Sequence, residues 1–191
     1  MTEHLAWWIA RSSGIVSWTL LAASVIWGLL VSTRTRPQRV TAAWMVDLHR
    51  YLGGLSVVFV GVHVAALVAD SYTHFGLTEV LVPLASSWRP GAVACGIVGF
   101  YLLLAVEVTS LLRSHLSRVW WRRIHLLSLP LFAFSTIHMF VAGTDSSNRW
   151  LIGATLTALS VIGGLGALRV MTKSSAQRQR PVRTNAAEIR I

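Results

Sequence analysis

Five apolar runs of about 20 residues, nearly free of charge, occupy most of this chain: 14–33, 51–69, 91–112, 124–143 and 150–168. A run of that length coiled as a helix crosses a hydrocarbon layer ~30 Å thick. Lipid offers no partner to a bare backbone amide, so each crossing must satisfy its hydrogen bonds within itself. The expected fold is an all-α integral membrane protein, a bundle of about five transmembrane helices. The composition agrees, with 54% hydrophobic and 13% charged residues, against ~25% charged in ordinary soluble domains.

The first run carries Glu3, His4 and Arg11 ahead of it and no convincing cleavage site behind it, so it is expected to be a retained helix and not a secretory signal. Residues 1–170 form one membrane domain in this reading. Residues 171–191, rich in Arg, Ser, Gln and Pro, are expected to be a basic, disordered cytoplasmic tail. Of the 17 Lys and Arg residues, all but Arg11, Arg89 and Arg149 fall in the segments joining runs one to two and three to four or in the tail. Positive charge marks the cytoplasmic side, which places the amino terminus outside and the carboxyl terminus in the cytoplasm. The net charge of +10 is thereby explained by topology and anionic membrane lipid, and a nucleic-acid partner is not expected. The clusters Arg34, Arg36, Arg39 and Arg118, Arg122, Arg123 would also suit an acidic cytoplasmic partner.

Four histidines stand inside or at the edge of these runs: His49 and His63, 14 residues apart, and His125 and His138, 13 apart. Imidazole is costly in hydrocarbon without a partner, and such groups usually face a bundle interior, a relay or a cofactor. Runs two and four point the same way through the membrane, so the histidines pair by depth, His49 with His125 and His63 with His138, about 20 Å apart at 1.5 Å per residue. Two imidazoles at one site suit a haem iron that only passes electrons, because both axial positions are then filled. Lone Cys95 excludes a disulfide framework, a thiolate cluster and covalent haem attachment, so any haem is non-covalent. His4, His74 and His115 lie outside the spans and are expected to be solvated or interfacial.

One spacing resists an ideal helix. At 100° per residue, 14 residues fall ~40° short of four turns, whereas 13 are ~140° out of phase. A kink or rewinding near Pro130 is expected to re-aim one imidazole. Gly53, Gly54 and Gly61 beside the second run's histidines suit either a flat macrocycle or close helix contact. Glu107 is expected to snorkel or bond Arg113, with proton uptake beside a cofactor as the sharper alternative. Arg50, Arg122 and Arg123 either pair with cofactor carboxylates or mark the interface. Trp7, Trp8, Trp44, Trp88, Trp120, Trp121 and Trp150 read as an interfacial belt. Leu77, Val80, Leu81 and Leu84 suggest a short interfacial helix in the loop 71–89.

Ala10-Arg11-Ser12-Ser13-Gly14, Leu48-His49-Arg50 with His63, Arg89-Pro90, and Trp121-Arg122-Arg123-Ile124-His125 with His138 together resemble the ferric reductase-like transmembrane domain family, over about residues 5–170. The resemblance implies two b-type haems, and electron flow from the cytoplasmic side through the inner haem to the outer one. The stretch 116–125 and Arg89-Pro90 are also similar to the haem-binding membrane subunit of bacterial periplasmic methionine sulfoxide reductase. The chain has no G-x-G-x-x-G or comparable phosphate-binding loop. Electrons would therefore come from a separate donor, a cytoplasmic reductase or a quinol, and leave to an extracytoplasmic ferric chelate or partner oxidoreductase. The expected role is an electron-transfer subunit in a bacterial cytoplasmic membrane. The alternatives are direct binding of a transition metal by the histidines, for transport or storage, and an assembly factor with no cofactor.

Overall fold

The computed structural model describes residues 5–33, 35, 40–70 and 75–178, and among these it is helical with no strand. The helices are α1 (Leu5–Thr33), α2 (Ala42–Ala69), α3 (Leu77–Leu81), α4 (Pro90–Leu111), α5 (Arg118–His125), α6 (Ser128–Ala142) and α7 (Arg149–Arg178), with a single 3₁₀ turn at Arg113–His115. Five helical stretches are long and apolar enough to cross a membrane, α5 and α6 together making the fourth. Most begin several residues before the apolar runs, because a helix continues through polar ends wherever its first turn is capped. Thr41 accepts from the Trp44 amide at the head of α2, Ser117 from Trp120 at the head of α5, and Asn148 from Trp150 ahead of α7. Pro90 opens α4, where its missing N–H costs nothing.

The fourth span is broken where the histidine phase required it. Between α5 and α6 the Leu127 amide bonds Ile124 O at 2.9 Å and the Leu129 amide bonds Leu126 O at 3.2 Å, both three residues back instead of four. Leu126 O is the acceptor that Pro130, having no N–H, leaves free. Each tightened step turns the chain ~120° instead of ~100°, in the direction that brings 13 residues closer to four whole turns.

Helices α1 and α4 are the interior of the bundle. About 39% and 33% of their apolar windows are buried within the chain, against 17%, 11% and 11% for the other three spans. α1 packs along α2 most extensively and also meets α6 and α7, while α4 packs mainly on α6. The core joining them contains Trp18, Leu21, Val25 and Leu29 of α1, Leu103 of α4, and Leu131 and Phe132 of α6. Trp18 stacks on Phe132 with centroids 5.9 Å apart, and its indole N–H donates to Thr136 Oγ1 at 3.0 Å. Lipid tails are as apolar as leucine, so contacts of this kind, and not hydrophobic burial, hold helices together in a membrane. Buried Ser13, Ser17 and Ser56 are satisfied within their own turns, as when Ser56 Oγ donates to Leu52 O at 2.8 Å.

Three expectations change. α7 continues to Arg178, well into the stretch expected to be disordered, and the rest of that tail lies outside the described residues, as do His4, His74, Arg34, Arg36 and Arg39. Trp121 is no belt residue, since it turns inward onto His125, and Trp7 lines an internal cavity, whereas Trp8, Trp44, Trp88, Trp120 and Trp150 are exposed. The Glu107–Arg113 bond is not formed: the Arg113 guanidinium lies over the Trp121 ring, 4.5 Å from its centroid. The short helix α3 falls within the loop where leucine and valine spacing placed it, although Leu84, at φ 69°, lies beyond its end.

Candidate functional site

The four histidines form two facing pairs. His49 and His125 have ring centroids 5.8 Å apart with planes at 80°, and His63 and His138 have centroids 6.3 Å apart with planes at 85°. His49 and His63 come from α2, His125 from the last residue of α5 and His138 from α6. The two levels are ~21 Å apart along α2.

What aims these rings is the backbone of the interior helices. His63 Nδ1 bonds Ala10 O at 2.7 Å, His49 Nδ1 bonds Ser24 O at 2.9 Å, and His138 Nδ1 bonds Ala92 O at 2.8 Å. A carbonyl only accepts, so each of these rings carries its proton on Nδ1 and keeps a lone pair on Nε2. Helical carbonyls are ordinarily screened by the side chains of the following turn, whose Cβ atoms tilt back toward the helix start. Here the residue four further on is glycine every time: Gly14 after Ala10, Gly28 after Ser24, Gly96 after Ala92. A methyl group at those positions would stand 3.0 Å from His63 Nδ1, 3.0 Å from His49 Cε1, and 2.7 Å from both Nδ1 and Cε1 of His138. The glycines singled out on α2 behave otherwise: Gly54 and Gly61 have nothing within 4 Å, and Gly53 faces Glu107.

His125 departs from this pattern. Its Nδ1 meets the Ser110 hydroxyl at 3.4 Å, a long contact with a group that both donates and accepts. Its ring is positioned instead by stacking on Trp121, with centroids 5.0 Å apart and planes at 24°. The Arg113 guanidinium lies over the Trp121 ring, and both Arg113 and Arg169 stand within electrostatic range of His125. Arg50, Arg122 and Arg123, expected beside this pair, are exposed. Two buried indole N–H groups at this end, Trp27 Nε1 and Trp121 Nε1, have no acceptor among the described residues.

A cavity of about 600 Å³ surrounds the His63–His138 pair between α1, α2, α4 and α6, with a largely apolar wall that includes Leu21, Val60, Ile97 and Leu103. At its rim Arg11 Nε donates to Asp145 Oδ2 at 2.6 Å, the second guanidinium nitrogen also pairs with this carboxylate, and Trp7 and Trp8 rings lie about 5 Å from the guanidinium. The Arg11 bond holds the Asp145 carboxyl below the usual carboxylate range. Sequence reasoning missed this pair, whose members lie 134 residues apart. Among the described residues, no three His, Cys, Asp or Glu side chains converge as a bare metal ion would require. Cys95 is free and half-buried.

No family model matches this chain, and neither a curated protein nor a solved structure matches it.

Proposed function

We propose that this protein carries electrons across a membrane on two non-covalent b-type haems, one between His49 and His125 and the other between His63 and His138. The observation that carries the reading is the facing of the imidazoles. Two nitrogen–metal bonds of ~2.0 Å, with ~1.1 Å from each donor atom to its ring centre, would separate the centroids by up to ~6.2 Å. The observed separations are 5.8 and 6.3 Å.

Several further features support it. The Nδ1 bonds to Ala10, Ser24 and Ala92 leave Nε2 of three rings as the metal-binding atom and raise its basicity. The wall of the cavity at the outer pair is largely apolar, as a flat macrocycle needs. Trp27 and Trp121 would offer their unpaired N–H groups to haem carboxylates at the other end. A bare ion between two imidazoles would lack the further ligands that a porphyrin provides, which favours haem over direct metal binding.

Held by such pairs, haem would supply a one-electron carrier. The protein residues fix ring orientation, and α2 carries one histidine of each pair at two levels along its length. The Arg-rich sequences at the ends of α5 and α7 support a cytoplasmic location for the His49–His125 pair. By resemblance to ferric reductase-like domains, electrons enter there from a cytoplasmic reductase or a quinol. They leave at the His63–His138 side to a ferric chelate or a partner oxidoreductase, which makes the chain an electron-transfer subunit.

The test is a reduced-minus-oxidised absorbance spectrum with haem quantified per purified chain, for wild type, His63→Ala and His125→Ala. Two b haems in the wild type and one in each variant are expected. Well-folded protein that takes up no haem when haem is plentiful overturns the reading and puts direct metal binding in its place.

A further inference from the structure

Between the levels of the two histidine pairs, one carboxylate occurs among the described residues: Glu107 on α4. Its position is set from two sides. Gly53, buried and one turn beyond His49 on α2, is the surface on which the carboxyl group lies, and a methyl group at 53 would overlap Oε1 and stand 3.2 Å from the carboxyl carbon. Ser110, one turn from Glu107 on α4, is the residue that meets His125. Glu107 therefore stands about one helical turn, ~6 Å, from the level of the inner pair, displaced toward the outer one.

Among the described residues, no hydrogen bond or ion pair reaches this carboxyl group. The ionisable groups on elements packed against α4 are Asp47, His49, Arg50, Tyr51 and His63 on α2, Glu79 on α3, Arg113 and His115 in the 3₁₀ turn, Arg118, Arg122, Arg123 and His125 on α5, and His138 on α6. Arg113, the cation nearest in sequence, is engaged with Trp121. The ion pair formed among the described residues is Arg11–Asp145, at the other end. A carboxylate in hydrocarbon with no cation beside it is strongly disfavoured, so its ionisation follows whatever charge appears nearby. With bis-imidazole ligation the iron–porphyrin core has one net positive charge when ferric and none when ferrous.

We infer that Glu107 is the proton acceptor linked to the inner haem, an inference that rests on the di-haem reading above. When the inner iron is ferric, the ionised Glu107 carboxylate balances its charge. When one electron from an external one-electron reductant makes it ferrous, one proton from the aqueous phase bonds to a Glu107 carboxylate oxygen, and a neutral acid is left beside a neutral core. The conserved quantity is net charge inside the bilayer. Gly53 is the positioning residue that lets the carboxyl group lie close enough.

The test is a potentiometric dithionite titration of the haem-loaded full chain at several pH values around neutrality, for wild type, Glu107→Gln, Glu107→Asp and Gly53→Ala. One proton per electron converts each tenfold change in proton activity into a shift of up to ~59 mV in one haem transition. Glu107→Gln is expected to flatten that slope and leave the other transition unaltered, Glu107→Asp to retain most of it, and Gly53→Ala to reduce it with the acid still present. Redox-difference infrared spectra should show a protonated carboxyl band appearing on reduction in the wild type and missing in Glu107→Gln. Two haems per chain with equal slopes in wild type and Glu107→Gln overturns the role of Glu107 alone. Absence of haem from the wild type overturns this inference together with the reading beneath it. Should Glu107→Gln fail to load haem, an unchanged slope in Gly53→Ala overturns the inference.

Discussion

At the His63–His138 end both imidazoles are tied to backbone carbonyls, of Ala10 and Ala92, inside a formed cavity. At the His49–His125 end one imidazole is tied that way, to Ser24, and the other rests on a serine hydroxyl and a tryptophan face. A helical carbonyl does not rotate, so it dictates both the direction of the ring and which nitrogen holds the proton. A hydroxyl rotates freely and leaves the second of these undetermined. One end is thus specified by the fold itself, and the other partly by side chains, with cations close by.

The largest effect expected from this difference is at Gly96. Its missing Cβ would lie 2.7 Å from two atoms of the His138 ring, so Gly96→Ala must dislodge the ring from Ala92 O. Loss of such a supporting bond weakens a metal site ~10–100-fold, and on the proposed di-haem reading the purified variant should retain the inner haem and release the outer one. Loss of the inner haem instead would break the assignment of the glycine to its pair.

Gly28→Ala should act in the same way on the inner pair but less severely, because the corresponding approach to His49 is 3.0 Å and its neighbour can yield by a few tenths of an ångström. Haem stoichiometry and the spectrum of the remaining haem measure it. Ser110→Ala removes a 3.4 Å contact and is expected to weaken the inner site less than ~10-fold. An effect as large as that of Gly28→Ala would mean that the hydroxyl holds His125 as firmly as a carbonyl holds His49.

The smallest effect concerns the Arg11–Asp145 pair at the rim of the outer cavity. Partly exposed pairs contribute ~0.2–1 kcal/mol. Because Arg11 depresses the folded-state pKa of Asp145, the stabilisation is fully present above the ordinary carboxylate value of ~3.9 and is lost as pH falls below it through the lower folded value. Thermal unfolding in detergent should show this acid loss in the wild type and not in Asp145→Asn. Matching acid profiles would remove the pair from the account of how the outer end is held.

The spans were legible because hydropathy accumulates along a single helix and needs no knowledge of its neighbours. The broken fourth span was legible too, since a 13-residue spacing and Pro130 leave an ideal helix no way to present both rings. The supporting glycines were missed although a signal existed. Gly14 and Gly28 are 14 residues apart, the same spacing as His63 and His49 on the antiparallel neighbour, and Ala10 and Ser24 repeat it once more. Attention fell on Gly53, Gly54 and Gly61 because they are adjacent to histidines in sequence, whereas the contact that matters comes from another helix.

By itself the sequence determined five apolar crossings, an excess of positive charge at one set of helix ends, and four imidazoles at two levels, because each follows from periodicity and composition within one segment. Only the tertiary structure decided which carbonyl receives each Nδ1 proton, that Trp121 faces inward, that Arg113 turns to Trp121 and leaves Glu107 on Gly53, and that Arg11 reaches Asp145. Those are relations between helices distant in the chain. In a lipid solvent they are selected by close packing and interhelical hydrogen bonding, which no single helix's pattern contains.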